Sequence, residues 1–142
     1  MRYLLDTNVC VMYLNGRSTS VRDRLLSTPT EDMVVCSVVK AELFYGALRS
    51  NNPTRTLERQ QEFLGGFASL PFGDEAAIVC GQIRARLASA GTPIGAYNVQ
   101  IAALAKLSEG IALANNLTLV THNTREFRRI EGLQIEDWEI EA

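Results

Sequence analysis

The sequence lacks the features that would place the protein in a membrane or in the secretory pathway. Its longest apolar stretches, such as 33–39 and 101–105, are far shorter than the roughly 20 residues that a membrane-spanning helix needs. The N-terminus has one arginine and reaches an acidic residue at position 6, which does not fit a secretory signal peptide. We therefore expect a cytoplasmic protein with no membrane contact.

Cysteine is scarce, and its positions argue against a disulfide framework or a cysteine metal site. Cys10, Cys36 and Cys80 are odd in number, far apart and surrounded by apolar residues. This environment is typical of reduced thiols in a hydrophobic core. An excess of positive charge is lacking too, since the formal net charge is −2. Any nucleic acid would therefore have to bind at a local site rather than along a broad basic surface.

What the sequence does contain is enough apolar material for one domain, 1–142. Of its 142 residues, 46% are hydrophobic and 21% charged, as in an ordinary globular chain with a single core. Strand-like and helix-like segments alternate, which predicts an α/β fold with a parallel sheet of four to five strands and helices on both faces. The predicted strands are 2–5, 33–36, 67–71, 117–121 and 133–135. The predicted helices are 9–14, 20–26, 38–48, 53–63, 75–88 and one from 97 onward, with Ser37 and Asp74 as N-caps.

An acidic residue directly follows the first predicted strand. Ligands of open α/β sheets bind beyond the carboxyl ends of the strands, and Asp6 would lie there. A buried carboxylate destabilises the fold unless it is paired, so we expect other oxygen ligands nearby that share a cation with it. Glu42 and Asn98, each near the start of a predicted helix, are placed at the same edge. Each residue also has a plainer interpretation: Asp6 and Asn98 as helix N-caps, and Glu42 as a solvated surface residue.

Four motifs of the chain occur in a recognisable order. They are Leu4-Leu5-Asp6-Thr7-Asn8, 37–46 (SVVKAELFYG), 93–98 (PIGAYN) with Ile101-Ala102-Ala103 after it, and 119–127 (LVTHNTREF). Together they resemble the successive motifs of PIN-domain ribonucleases, and among these the VapC toxins of VapBC toxin–antitoxin modules. The resemblance covers nearly the whole chain. It implies a PIN-like three-layer α/β/α sandwich and an acidic pocket that binds Mg²⁺ or Mn²⁺ for hydrolysis of RNA phosphodiesters.

The resemblance also implies roles for the candidate residues. Asp6 would be the central metal ligand, Glu42 would bind the metal through water or position the nucleophile, and Asn98 stands where a further acid is expected. The residues expected to support this site are Thr7, Asn8, Ser37, Thr121 and Asn123. For Thr121 and Asn123 a β-turn leading into 124–127 is the alternative.

Two features depart from the family pattern. The family carries aspartate where this chain has Asn98, and an amide loses a negative charge and directs NH₂ donors toward the cation. We therefore expect an impaired nuclease, whether through deliberate substitution or natural inactivity. The stretch from Asn98 to the fourth strand is also about two helical turns longer than is usual in the family. Gly110 within it either weakens a continuous helix or marks a break.

Recognition of RNA and of protein partners is less clearly encoded. Most basic residues are expected to be solvated charges. The candidates for phosphate contact are Arg84, Arg86, Arg125, Arg128 and Arg129. Similarity to enterobacterial-type VapC toxins implies a transfer RNA substrate, with the initiator tRNA at its anticodon stem-loop as the candidate. It also implies a homodimer, a VapB-type antitoxin that can place a basic side chain in the acidic pocket, and DNA contact only through that antitoxin.

Two other function classes remain open. A non-catalytic PIN-like module would bind RNA or an antitoxin and would cleave nothing even with an acid restored at position 98. An unrelated α/β phosphotransferase is disfavoured, because the haloacid dehalogenase type needs a second aspartate where Asn8 stands. His122 and Trp138 are expected to be structural rather than catalytic.

Overall fold

The computed structural model describes residues 2–110 and 117–140, and the alternating elements predicted from the sequence are present there. The strands are Tyr3–Leu5 (β1), Met33–Cys36 (β2), Ala68–Leu70 (β3), Thr118–Val120 (β4) and Gln134–Glu136 (β5). The helices are Thr7–Asn15 (α1), Thr19–Ser27 (α2), Ser37–Leu48 (α3), Pro53–Leu64 (α4), Asp74–Ser89 (α5), Ala96–Gly110 (α6) and Thr124–Phe127 (α7). The α/β fold class is thereby confirmed. The short helix α7 is an addition to the prediction.

The five strands form one parallel sheet in the order β3-β2-β1-β4-β5. All residues of β1 and β2 are buried, as expected for apolar strands that are covered by helices on both faces. The order reverses at β1, because β2 and β3 lie on one side of it and β4 and β5 on the other. In open α/β sheets this switch point is where ligands bind, beyond the carboxyl ends of the strands.

Parallel pairing of β1 with β4 places the residues after the two strands side by side. Leu5 is the register partner of Val120, and the Asp6 N–H donates to the Val120 carbonyl oxygen at 2.9 Å. Asp6 and Thr121 therefore follow neighbouring strands at the switch point. The position predicted for Asp6 from the sequence is confirmed by this pairing.

Both predicted N-caps are wrong. Cys36 occupies the N-cap position of α3 with an extended backbone, so the chain passes from β2 into the helix with Ser37 already in the first turn. The Ser37 Oγ instead accepts a hydrogen bond from the Phe72 N–H at 3.1 Å. Gly73 likewise takes the N-cap position of α5 and leaves Asp74 as the first helical residue. Ser37 thus anchors the segment that follows β3.

The cysteines and Trp138 have the structural roles expected of them. Cys10 and Cys36 are buried free thiols and Cys80 is half-buried. Burial raises the pKa of Cys36 to about 11, which suits an unreactive core thiol. Trp138 is fully buried and packs edge-to-face on Tyr3, with ring centroids 5.2 Å apart.

Helix α6 continues to Gly110. The two alternatives for Gly110, a weakened continuous helix or a break, concern the chain beyond it, 111–116, which lies outside the described residues. Among the helices that the structure describes, none combines the length and the apolar character required to cross a membrane.

Candidate functional site

Asp6 is held in a fixed orientation at the carboxyl end of β1. It is the N-cap of α1, where its Oδ1 accepts from the Thr7 N–H at 2.8 Å. Its Oδ2 accepts from the Thr121 Oγ at 2.7 Å. Burial raises the pKa of this carboxyl group, because only 4% of the residue is exposed, while the two hydrogen bonds partly oppose that rise. Asp6 is therefore an N-cap, but only one of its oxygens serves that role. A residue that served only as a cap would be expected to lie in solvent, whereas Asp6 is buried.

Glu42 is joined to Asp6 through Thr7. The Thr7 Oγ donates to the Glu42 Oε1 at 3.2 Å, while the Thr7 N–H bonds Asp6. Burial raises the pKa of Glu42 and the negative charge of Asp6 raises it further, against the opposing effect of the Thr7 bond. Glu42 is therefore a half-buried acid that interacts with Asp6, and not a solvated surface residue.

A second set of hydrogen bonds converges on Glu126. Its Oε2 accepts from the Asn98 Nδ2 at 2.6 Å and from the Asn123 Nδ2 at 2.8 Å. The Asn123 N–H donates to the Thr121 Oγ at 3.0 Å, and that hydroxyl in turn donates to Asp6. One continuous network therefore joins Glu42, Thr7, Asp6, Thr121, Asn123, Glu126 and Asn98.

Glu126 is the site residue that the sequence reasoning missed. It lies within the motif 119–127. It is not among the candidates because it follows the fourth strand by several residues and is not next to the end of a predicted strand or helix. The fold places Glu126 next to Asn123 because α7 begins directly after Asn123. The available clue is that Glu126 follows Asn123 by three residues, a spacing at which two side chains can meet on one face of a helix.

The structure corrects the expected orientation of the Asn98 amide. The residue lies in the first turn of α6, at the third helical position, rather than at an N-cap. Its Nδ2 donates to Glu126 at 2.6 Å, so one amide N–H is directed at a carboxylate and not at a cation. The local charge is also higher than expected, because Glu126 adds a carboxylate beside the amide.

Replacing Glu126 by glutamine should lower the free energy of unfolding by about 1–2 kcal/mol. The carboxylate accepts from two side-chain amides, and hydrogen bonds to a charged acceptor contribute more than those to a neutral one. Urea denaturation measures the change. The matched control is Glu58→Gln on the exposed face of α4, which should stay within about 0.5 kcal/mol of the parent. Equal stability of the two variants would contradict this role for Glu126.

The other predicted site residues lie apart from this network. Asn8 is exposed on the first turn of α1, and Ser37 bonds Phe72 as described. His122 is exposed, and its Nδ1 lies 3.0 Å from an Asp137 oxygen and 3.1 Å from a Glu139 oxygen. It thus joins the loop after β4 to the C-terminal segment, and that it is structural rather than catalytic stays a prediction.

The five candidate arginines do not act as one cluster. Arg86 and Arg129 line a single cavity of about 320 Å³ together with Lys106, which the sequence did not single out. The Lys106 Nζ donates to the Glu131 carbonyl at 2.6 Å and the Arg129 Nη1 to the Pro93 carbonyl at 3.0 Å. Arg128 lines a different cavity, and neither Arg84 nor Arg125 lines the first. We call the first cavity the basic cavity after Arg86, Lys106 and Arg129, and Glu131 lines it as well.

Comparison with known proteins gives consistent results over the length of the chain. The PIN domain family matches residues 3–133. The tRNA(fMet)-specific endonuclease VapC of Salmonella typhimurium is 39% identical over 138 residues, which covers 97% of this chain and 98% of that protein. The ribonuclease VapC2 of Rickettsia felis is 33% identical over 140 residues, or 98% and 99% of the two chains.

The fold of this chain is also closely similar to the folds of solved structures. A chain of DNA-bound VapBC from Salmonella typhimurium matches with a TM-score of 0.85 and 38% identity, over 97% of this chain and 98% of that one. A chain of VapBC2 from Rickettsia felis, bound to a promoter DNA fragment, matches with a TM-score of 0.81 and 32% identity, over 97% and 99%.

Proposed function

Because this chain belongs to the PIN-domain family and is a VapC-type ribonuclease toxin of a toxin–antitoxin module, we propose that it cleaves transfer RNA with the help of a divalent metal ion. The initiator tRNA is the first candidate, since relatives from Salmonella typhimurium and Shigella flexneri are named tRNA(fMet)-specific endonucleases. The anticodon stem-loop is the expected cleavage region, because single-stranded loops present bases and backbone that a protein can reach.

The observation that carries this proposal is a buried carboxylate without a cationic partner. Among the described residues, no lysine, arginine or histidine forms an ion pair with Asp6 or Glu42. Burial raises the pKa of both acids, and the negative charge of Asp6 raises the pKa of Glu42 further. Two such oxygen ligands suit a hard divalent cation, which typically binds one or two carboxylates and keeps its remaining sites for water and phosphate.

The donor set therefore fits Mg²⁺ or Mn²⁺. Asp6 and Glu42 would hold the ion, and the Asn98 Oδ1 would add a neutral ligand. When bound, such an ion makes water more acidic and neutralises charge on the scissile phosphate. Thr7 and Thr121 fix the orientation of the Asp6 carboxylate through both of its oxygens. Glu42, whose pKa is raised, can accept a proton at Oε2 while its Oε1 remains bonded to Thr7.

Asn98 would make this chain an impaired form of the nuclease. A metal ligand that is neutral contributes less affinity than a charged one, and the number of charged ligands strongly tunes divalent cation binding. Glu126 supplies negative charge beside the amide, so some metal binding should persist. The expected defect is thus weak activity and not misfolding.

A non-catalytic binding module is the second candidate. It is favoured by one observation, that the Asn98 amide completes a hydrogen-bonded network with Glu126 and Asn123 instead of leaving a charge there. A chain with this stable arrangement could bind RNA or an antitoxin without turnover. The partner proposed in either case is a VapB-type antitoxin, since the structural relatives are VapBC complexes, and DNA contact would occur only through it. A homodimer is proposed as well.

The test incubates the purified chain with total transfer RNA in Mg²⁺, Mn²⁺ or EDTA, at enzyme excess, and maps the ends of any fragments. Discrete fragments that disappear in EDTA would support the proposal, and initiator tRNA should be among the first substrates consumed. Absence of fragments with both the chain and its Asn98→Asp variant, together with retained tRNA binding, would replace it by the binding module.

Neutralising the basic cavity should weaken tRNA binding. The double substitution Arg86→Gln and Lys106→Gln is expected to lower affinity about tenfold and to reduce the slope of log K against log salt by about 1 for each cation that contacts a phosphate. Fluorescence anisotropy over a salt series in EDTA measures both. The control pair Arg17→Gln and Arg55→Gln removes two exposed charges elsewhere. If both pairs gave the same slope of log K against log salt, the cations of the cavity would contact phosphate no more than exposed arginines elsewhere do.

A further inference from the structure

We propose that Tyr45 and Tyr97 form a nucleobase subsite, in which an unpaired base of the RNA next to the scissile phosphate stacks on their rings. The proposal rests on the function proposed above and specifies how the substrate is held. It starts from a cavity of about 410 Å³ that is lined by both tyrosines together with Ala41 and Glu42. This volume is within the range of small-ligand sites.

The two tyrosines reach this cavity from two elements of the acidic site. Tyr45 follows Glu42 by three residues on α3, a spacing that places the two side chains on one helix face. Tyr97 directly precedes Asn98 in the first turn of α6, and α3 contacts α6. A base held in this cavity would therefore lie beside Glu42, one of the two carboxylates proposed to hold the metal ion.

Exposure distinguishes these rings from the structural aromatics of the chain. Tyr45 is 63% exposed and Tyr97 is 61% exposed, whereas Tyr3 and Trp138 are buried in the core. Exposed aromatic side chains that line a cavity can present a ring face to a ligand. Nucleobases stack on such faces in single-stranded RNA recognition, and each stacked base contributes substantially to binding.

Arg49 orders one of the rings and adds a charge of the correct sign. Its Nη1 donates to the Tyr45 Oη at 2.7 Å, and its guanidinium carbon lies 5.5 Å from the centre of the same ring. Among the described residues it has no acidic partner. Its remaining N–H groups can contact a phosphate, so an aromatic wall with an adjacent cation favours a nucleotide over an apolar peptide.

Stacking by itself discriminates little between bases, because every base has a π-face. The subsite should therefore recognise that a base is unpaired and not which base it is. This would direct cleavage to loops, while sequence preference would have to come from other contacts.

The test compares leucine and phenylalanine at each tyrosine. Leucine removes the aromatic face, whereas phenylalanine removes only the hydroxyl. In the Asn98→Asp background, Tyr45→Leu and Tyr97→Leu should each raise KM for a hairpin RNA about tenfold with little change in kcat. Tyr97→Phe should match its parent. In EDTA, the parent chain should quench a 2-aminopurine placed in the loop, and the leucine variants should lose that quenching.

Each other outcome has a definite meaning. Equal KM and quenching for leucine, phenylalanine and parent would overturn the subsite. A leucine effect on oligomeric state in light scattering, without an effect on RNA, would also overturn it and assign the surface to contact between copies. Failure of the proposed function is separate, since it appears as no cleavage by the Asn98→Asp parent, while the quenching experiment still decides whether a base stacks here.

Discussion

Replacing Asn98 by aspartate should raise metal-dependent tRNA cleavage by about 100-fold or more. One electrostatic group aimed at developing charge in an active site typically contributes a factor of about 100 to 1000 in rate. The substitution restores a charged ligand to a pocket that already contains Asp6 and Glu42. Because aspartate and asparagine have nearly the same shape, we expect the gain to come from metal binding and charge rather than from a change of the backbone at the start of α6.

The same substitution should make the protein more dependent on metal for stability. Asn98 now donates from Nδ2 to Glu126 at 2.6 Å, and aspartate would place a carboxylate against that carboxylate. Without a cation the two acids would repel each other, so the thermal midpoint in EDTA should fall. Adding Mn²⁺ should give the Asn98→Asp variant the higher thermal midpoint of the two proteins. A ligand stabilises the folded state that binds it, and the variant should bind the ion more tightly.

The measurements are initial cleavage rates of initiator tRNA and thermal midpoints, each in EDTA and over a Mn²⁺ series. Asn51→Asp is the matched control, because it makes the same change of charge at an exposed position after α3. It should leave both quantities unchanged. Equal, strong cleavage by the parent and the Asn98→Asp variant would show that an amide suffices here, and the proposed impairment would be wrong.

The elements that position the site could be predicted because their patterns are local. The apolar runs of β1 and β2 are short, continuous and followed by helical sequence, so they indicated parallel strands buried on both faces. Asp6 was then assigned by its place directly after a strand. The resemblance implies Thr121 and Asn123 at the end of β4, but the direction of their hydrogen bonds cannot be read from the chain.

The parts of the site that could not be predicted depend on contacts between residues far apart in sequence. Asn98 and Glu126 are 28 positions apart, and no local pattern indicates that an amide and a carboxylate will meet. Lys106 joins Arg86 and Arg129 only because α5, α6 and the segment after α7 line one cavity. The Ser37 cap failed for a related reason, since the hydroxyl bonds Phe72, 35 residues away, instead of its own helix. Tertiary packing decides such cases.

Replacing Asp6 by asparagine should abolish cleavage, by about 1000-fold or more in the Asn98→Asp background, and yet stabilise the protein in EDTA. The loss of activity follows from removing the central carboxylate, for which the neighbouring acids cannot substitute. The shape of the site should survive. Asparagine can accept from the Thr7 N–H through its oxygen and donate from its amide to the Thr121 hydroxyl.

The gain in stability has a defined dependence on pH. Burial raises the pKa of Asp6 above its ordinary value of 3.8, so the folded state holds this proton more tightly than the unfolded state does. The parent is therefore favoured while Asp6 is protonated, and it loses that stability as the pH rises through the folded pKa. Asparagine carries no charge to desolvate, so the difference between variant and parent should be near zero below pH 3.8 and largest at neutral pH.

Urea denaturation in EDTA from acid to neutral pH measures this difference, which we expect to reach about 1 kcal/mol, a typical gain when a strained functional group is removed. Asp23→Asn is the control, since that aspartate is exposed and, within the described part of the chain, its ion pair is with Arg22 on the surface of α2. Mn²⁺ should cancel the advantage of Asp6→Asn, because only the parent then keeps the carboxylate that the ion binds. A variant less stable than the parent at neutral pH in EDTA would mean that the Asp6 charge is already neutralised in the metal-free protein, and the cation-binding pocket would lose its main physical support.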